Sequence, residues 1–555
     1  LATHRDVPPT RITLRAAAGA SRCLGVTAML SFRPALAAAL LLAGASLPAT
    51  AQTLRIAFKA SMDGTDPHQT FTPNRNAQLH VWETLLTQDV TLRPQPLLAE
   101  SWRAIDPVTW EFKLRRDAVF HDGTPFTSAD AAFSITRARA ATGPRTYAAA
   151  VRNVAAVETP DPYTLIVRTT VPTPLQPDFL VAIAMVSATA AEGATDADFN
   201  GGRAAIGTGP YRWGRWTPSQ DVTFERSPTW RGTPEPWARV QIRFVPNDSA
   251  RVAALLAGDV DLIDNVPTGL FQRVRENANT QLVLGNSVFT WYFYLDAMSA
   301  QVPNITGADG QPLAVNPLRD VRVRRAISHA INREAIASRV MEGGATATGQ
   351  IAPPGLIGHV PNLPVPAYDP PRARALLAEA GYPQGFTMTI HCTQDRFAGD
   401  ARSCQAIGQM LTAIGIRTVV EALPMPIYLR RSATLTSGGA PELTAHLAMF
   451  GSSSGMASEG LTALLRTPNA ARAHGGWNRT RFSNAEFDAM LDRLDSEFDP
   501  ATREALTQDA IRWVADQVPL APVFHVGASW GLRRGLTMAP RADQYTMATE
   551  VRPTP

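Results

Sequence analysis

Thr109-Trp-Glu-Phe-Lys-Leu114, Val119-Phe-His-Asp-Gly-Thr-Pro-Phe126 and Thr127-Ser-Ala-Asp130 follow closely on one another. Trp110, Phe112 and Leu114 alternate with Glu111 and Lys113, the period of a strand with one buried face. Within His121-Asp-Gly-Thr-Pro125, Asp122-Gly123 is a reversal signal. Thr127 and Asp130 have capping-box form and predict a helix over 129–139. Strand, turn and capped helix in close succession mark an α/β chain.

The same vocabulary extends outward in both directions. Strands are expected at 54–58, 164–168, 222–226 and 240–245, and a helix at 77–86. Between 250 and 264 a helix passes through Gly258-Asp-Val-Asp261 into a short strand. The aromatic run 291–295 is a dense strand. Beyond it the chain turns more helical. Asp320 can cap 321–330, and Asp369 caps a helix with Pro370 at its first position and Gly381 past its end. Strands 387–391 and 417–421 flank a helix at 401–414. Phe482-Ser-Asn-Ala-Glu-Phe487 combines a capping box, Ser483 and Glu486, with a Phe482–Phe487 staple. Asp499-Pro500 opens a helix to 514, and 520–526 is a strand. The 555 residues are too many for one core. An α/β chain with no repeat and no linker predicts lobes joined by strands that cross more than once, with a cleft between them.

Composition excludes several classes. With 45% hydrophobic and 18% charged residues, the chain is neither disordered nor a multi-pass membrane protein. Its net charge is +4, but the basic residues are scattered and carry no nucleic-acid footprint. Lys59 and Lys113 are the only lysines, so nearly all the basic residues are arginines.

Met29, Arg33, the apolar run 35–43 and Leu47-Pro-Ala-Thr-Ala51 have the form of a cleavable leader. Cleavage after Ala51 would leave Gln52 as the new terminus. The run is shorter than the roughly 20 residues a membrane span requires; a buried or anchoring helix is the alternative. No cysteine closes the run, which argues against lipid attachment. Residues 1–28 carry no periodic pattern and are expected to lie upstream of the start of translation. Export into an oxidising compartment would remove Cys23 and leave Cys392 and Cys404, which flank one loop. A disulfide is expected, with two buried thiols as the alternative. Two cysteines without paired ligands do not make a zinc site.

With the opening motifs stand Leu97-Leu-Ala-Glu-Ser-Trp102, Gly207-Thr-Gly-Pro-Tyr211, Leu256-Ala-Gly-Asp-Val-Asp261, Val321-Arg-Val-Arg-Arg-Ala-Ile-Ser-His-Ala-Ile331 and the stretch 368–381. The C-terminal stretches 477–491 and 519–536 also fit. In this order they resemble the extracellular solute-binding proteins of family 5, which include dipeptide, oligopeptide, glutathione and nickel receptors. The resemblance implies an α/β two-lobed periplasmic-binding-protein fold (type II, large cluster C-like) with the ligand in the interlobe cleft. Residues 52–290 and 521–555 would form one lobe and 291–520 the other, after leader and upstream sequence at 1–51. It also implies a periplasmic receptor of an ABC importer, with a permease and ATPases as partners, no cofactor, no nucleic acid and a monomeric state.

In dipeptide binders of this family a tryptophan and an aspartate meet the peptide amino terminus. The resemblance puts Phe450 and Ser453 there. Serine offers a neutral hydrogen bond where an ammonium needs a carboxylate. This favours a ligand without a free α-ammonium, or one paired by Glu459 or Asp395. The carboxylate-holding arginine corresponds to Arg396, with a solvated surface arginine as the alternative. Asp66, in Asp63-Gly-Thr-Asp-Pro67, commonly reaches the cleft in this family. Trp291, Tyr292 and Tyr294 either stack on ligand or fill the core, and Trp477 and Asn478 are open in the same way.

Two other classes compete. Gly451-Ser-Ser-Ser-Gly455 matches G-x-S-x-G, which would make Ser453 a hydrolase nucleophile, but no histidine or aspartate is marked as its partner. His446, His474 and His525 could hold a metal chelate; opines and oligosaccharides are further non-peptide solutes for the same fold. Gly207-Thr-Gly-Pro-Tyr211 is no phosphate loop, since Pro210 has no N–H to donate. The expected reading is therefore a binding protein and not an enzyme.

Overall fold

Leu54, Ile56 and Phe58 are buried along the strand Thr53–Phe58, and this first strand seeds the main sheet. It runs parallel to Arg239–Phe244 on one side and Leu262–Asp264 on the other. The helix Asp248–Ala257 connects those two neighbours, as a parallel pairing requires. Asn247 caps it by accepting from the Ala250 amide, and Gly258 ends it at φ 81°. The computed structural model describes residues 52–69, 72–142, 146–394, 399–452, 454–472 and 474–554. The leader expected over 29–51 lies outside them.

Among the described residues the main sheet has 12 strands. From one edge, Tyr211–Thr217, Asp221–Arg226, Arg239–Phe244, Thr53–Phe58 and Leu262–Asp264 lead to Leu520–Arg533. Then come Thr280–Leu295, Ala445–Gly451, Phe386–Thr393 and Ile305–Gly307. Ala345–Ala347 adds to Leu520–Arg533, and Ile416–Leu423 to Phe386–Thr393.

The two largest hydrophobic cores among the described residues share this sheet. The first gathers Ile56, Trp82, Phe224, Ile242 and Trp530. The second gathers Phe293, Ile327, Ile390, Leu447 and Phe524. Thr280–Leu295 and Leu520–Arg533 pass from one to the other as an antiparallel ribbon. Val283 and Trp530 pack in the first core, and Trp291 and Phe524 in the second. Between them the register slips, at Asn286/Thr290 and again at Trp291/Tyr292.

The stretch quoted first belongs to a separate antiparallel sheet. Thr109–Leu114 lies between Ala99–Asp106 and Thr164–Thr169. Thr127 and Asp130 close the expected capping box on the helix Ser128–Ala140, whose buried face covers this sheet.

Three expectations are corrected. The helix expected over 77–86 ends at Gln78. The Val81 carbonyl is instead taken by the Gly209 amide at 2.9 Å, so a tertiary bond overrides helical spacing. The cap of the helix Ala485–Ser496 is Asn484, one residue after the expected Ser483. Ser483 is engaged by the Thr467 hydroxyl. The aromatic strand begins at Thr280, not Trp291. Gly285-Asn286-Ser287 has turn composition, and the register slip breaks the alternation that would have revealed the strand.

Cys392 and Cys404 form a disulfide, Cα atoms 6.4 Å apart, between the end of Phe386–Thr393 and the helix Asp400–Thr412. Converting both cysteines to serine should lower stability by about 3 kcal/mol, the loop-closure value for a bridge of this span. Urea midpoints with and without reductant measure it, and reductant should leave the double variant unchanged.

Candidate functional site

A cavity of about 480 Å³ opens where the ribbon crosses between the cores. Thr91, Asn286, Thr346, Pro354 and Ala542 line it. Gly527 is needed here: a Cβ at this position would stand 2.8 Å from the Gly344 carbonyl oxygen, which its own amide binds. The lining carries no charged side chain among the described residues. It offers two threonine hydroxyls, an amide and apolar surface, groups suited to neutral, amide-rich matter.

Beside it lies a nearly filled pocket of about 10 Å³, lined by Thr290, Tyr292, Leu356, Phe450 and Ser452 among others. Thr290 and Phe450 are direct cross-strand partners. The Thr290 hydroxyl donates to the Ile351 carbonyl at 3.0 Å and meets His525 Nδ1 at 2.8 Å. Its one hydrogen is thus spent, so the imidazole carries its proton on Nδ1.

Phe450 and Tyr292 are therefore brought together as the aromatic wall of this pocket. Ser453 lies outside the described residues, as do Asp395 and Arg396. The neighbours of Ser453 are informative. Ser452 and Ser454 hydroxyls donate to Glu459 Oε2 at 2.9 and 2.7 Å, and the Ser454 amide follows at 3.1 Å. Glu459, considered as a counter-charge for a ligand ammonium, instead holds its own loop. A helix, Ala457–Leu464, does follow this loop, but the carboxylate at its first turn serves the hydroxyls and His525 serves Thr290. The Thr393 hydroxyl donates to Asp400 at 2.8 Å.

Other candidates are placed differently. Asp66 is 6% exposed and gripped by Arg137 at 3.0 and 2.7 Å. Burial works to raise its carboxyl, and the Arg137 guanidinium outweighs it, leaving it below the usual range. Asp66 is thus a structural anchor, because its loop folds back onto the helix Ser128–Ala140. Trp291 stacks on Phe524 at 5.2 Å inside the second core. Asn478 is buried and clamps a turn, donating to the Arg466 and Phe482 carbonyls. Trp477 is exposed beneath Arg479, and its carbonyl accepts from the Tyr294 hydroxyl.

His446, His474 and His525 do not converge, and no three metal-ligating side chains meet among the described residues. His446 lies on Ala445–Gly451 beside Tyr294 and Tyr428. Sequence reasoning missed Thr290, His525 as its partner, and Leu356. Nothing in their local sequence distinguishes them, since the pocket is assembled from segments far apart in the chain.

A two-core α/β chain with a cleft at paired crossing strands is the architecture of a bilobal binding protein. The chain matches "Bacterial extracellular solute-binding proteins, family 5 Middle" over residues 93–454 and belongs to that family. It is 26% identical over 450 residues to the glutathione-binding protein GsiB of Shigella flexneri serotype 5b, covering 80% of this chain and 82% of that one. It is 28% identical over 433 residues to a putative ABC transporter peptide-binding protein of Brucella ovis, covering 75% of each. Among solved structures, HbpA2 of Haemophilus parasuis superposes with a TM-score of 0.79 at 22% identity, covering 91% of this chain and 100% of that one. The fold is the two-lobed fold of the periplasmic binding proteins. No helix of the described residues is long and apolar enough to cross a membrane.

Burial holds the His525 imidazole down to about 3, with His359 nearby adding to the effect. Burial likewise holds His446 at about 3. Unfolded, each protonates near pH 6.5. The unfolded chain then binds more protons, so stability is full above about pH 6.5 and falls on acidification. Each histidine adds a slope of up to about 1.4 kcal/mol per pH unit. Urea midpoints should decline between neutral pH and pH about 4, and His525→Gln should flatten that decline.

Proposed function

We propose that this chain is the periplasmic receptor of an ABC importer for peptides or peptide-like solutes. The neutral, amide-matching cavity at the crossing strands carries the proposal. The relatives described as glutathione- and peptide-binding support the ligand class. On this reading residues 52–290 and 521–555 form one lobe and 291–520 the other. The leader 29–51 is removed on export without lipid attachment. The receptor works as a monomer, catalyses nothing and hands its ligand to a permease driven by ATPase subunits.

Phe450 and Tyr292 form the aromatic wall for the ligand, and Arg396 holds an anionic group. With Ser453 where dipeptide binders carry an aspartate, and Glu459 committed to the serine loop, the site favours a ligand without a free α-ammonium. N-acetylated peptides fit this directly; glutathione keeps a free α-ammonium, but its γ-linkage carries that group away from the peptide chain, where Asp395 is the remaining candidate to pair it.

A thermal-shift panel of glutathione, di- to pentapeptides, N-acetylated peptides, opines, oligosaccharides and metal chelates tests the assignment. A binder at a hundredfold its Kd should stabilise the fold by about 2.7 kcal/mol. Glutathione or N-acetyl peptides should shift the midpoint more than free dipeptides, and Phe450→Ala should weaken their binding roughly tenfold or more. A panel in which only oligosaccharides or chelates shift the midpoint would overturn the peptide reading.

A further inference from the structure

The hairpin formed by Leu86–Gln88 and Pro94–Pro96 reaches from the first half of the molecule into the second. At its tip Leu92 is fully buried and holds φ at 65°, a left-handed conformation that costs a non-glycine residue energy. Asp89 Oδ1 fixes the tip, accepting from the Thr91 amide and hydroxyl and from the Arg93 amide at 2.7 to 3.0 Å. Arg541 and Ala542 pin its base from the same half, donating to the Gln88 and Val90 carbonyls.

What the tip touches belongs to the other half. Leu92 clusters with Leu356 of that half, and with Val288 and Ala542 of its own. A Cβ on Gly455, which sits at φ 76°, would come within 2.5 Å of Leu92 Cβ. The Gln88 amide donates to the Leu92 carbonyl at 3.2 Å and to the Ser454 carbonyl at 3.1 Å. Next to the hairpin, Arg93 faces Glu504 at 3.7 Å, and Trp110 stacks on Phe498 at 6.1 Å. Burial pushes the Asp178 carboxyl of the first half up to about 6, and Arg503 of the second half opposes that rise.

We propose that Leu92 and the Trp110–Phe498 stack form a latch between the two lobes that sets how readily the cleft closes, and so the affinity for ligand. The proposal rests on the two-lobe receptor reading, and it assigns affinity to residues that need not touch the ligand. A strained backbone persists only where its surroundings hold it: the Leu92 amide donates to the Asp89 carbonyl of its own hairpin, while its side chain packs against Leu356 and Gly455 of the opposite lobe. Apparent affinity scales with the fraction of closure-competent molecules, so a weakened latch lowers it without altering ligand contacts.

Leu92→Gly tolerates the left-handed backbone while deleting the knob, and Phe498→Ala deletes the stack from the other side. Small-angle X-ray scattering of the ligand-free full chain should give a larger radius of gyration for both variants, with circular dichroism unchanged. Phe498→Trp should restore the wild-type profile. Glutathione Kd, measured by titration calorimetry, should rise roughly ten- to hundredfold in the two latch variants. Should Leu92→Gly fail to fold, Phe498→Ala decides. Scattering from folded variants that superimposes on wild type would overturn the latch. If wild type ignores glutathione while the scattering still shifts, the latch stands and only the ligand assignment falls.

Discussion

Antiparallel pairing of Thr280–Leu295 with Leu520–Arg533 is the constraint on which the molecule depends. Each strand contributes side chains to both cores, so neither core closes without the ribbon. The ribbon runs through both cores and its register slips twice, between Asn286 and Thr290 and again between Trp291 and Tyr292. A bulge bends and twists a strand and frees backbone from the ladder. Cavity, filled pocket and latch all gather around these slips.

Arginine stabilises the surroundings of the ribbon in a way lysine could not. Arg333 is 2% exposed and donates to the carbonyls of Pro522 and Ser328. Arg324 gathers the Gln517, Val518 and Leu318 carbonyls, and Arg251 those of Asp264, Val245 and Asn265. Burial pulls Arg333 down to about 9 and Arg324 to about 10, yet both stay charged at neutral pH. Five donors in a planar fork satisfy several loop carbonyls at once. The two arginines of the second core thereby anchor the segment where the chain enters the ribbon.

The binding region follows from the same economy of charge. The loop after Ala445–Gly451 spends its carboxylate, Glu459, on its own serines. The loop after Thr53–Phe58 spends Asp66 on Arg137. The cavity itself is walled by hydroxyls, an amide and apolar surface, with no charged side chain among its described residues. On the proposed receptor reading, specificity rests on shape, on neutral hydrogen bonds and on the position of the two lobes.

Local signals were legible in the sequence wherever a short stretch carries its own physics. Alternation at Trp110, Phe112 and Leu114 gave the strand, Thr127 and Asp130 the helix start, and Asp369 with Pro370 another. Ordered motifs gave the family, and the spacing of Cys392 and Cys404 gave the bridge. The site was legible only in part. Phe450 and Tyr292 line one small pocket, whereas Asp66 and Trp291 are held by partners far away in the chain and Asn478 by carbonyls of its own turn. Leu92, Thr290 and His525 carry no local mark, because their roles come from contacts with residues well separated in the chain: Leu92 with Gly455, and Thr290 with Ile351 and His525. The chain by itself determined the elements and the kinship, since propensity, capping and periodicity act over a few residues. Tertiary structure alone decided which charges are spent and which strand bends, since burial and pairing depend on what the rest of the chain brings alongside.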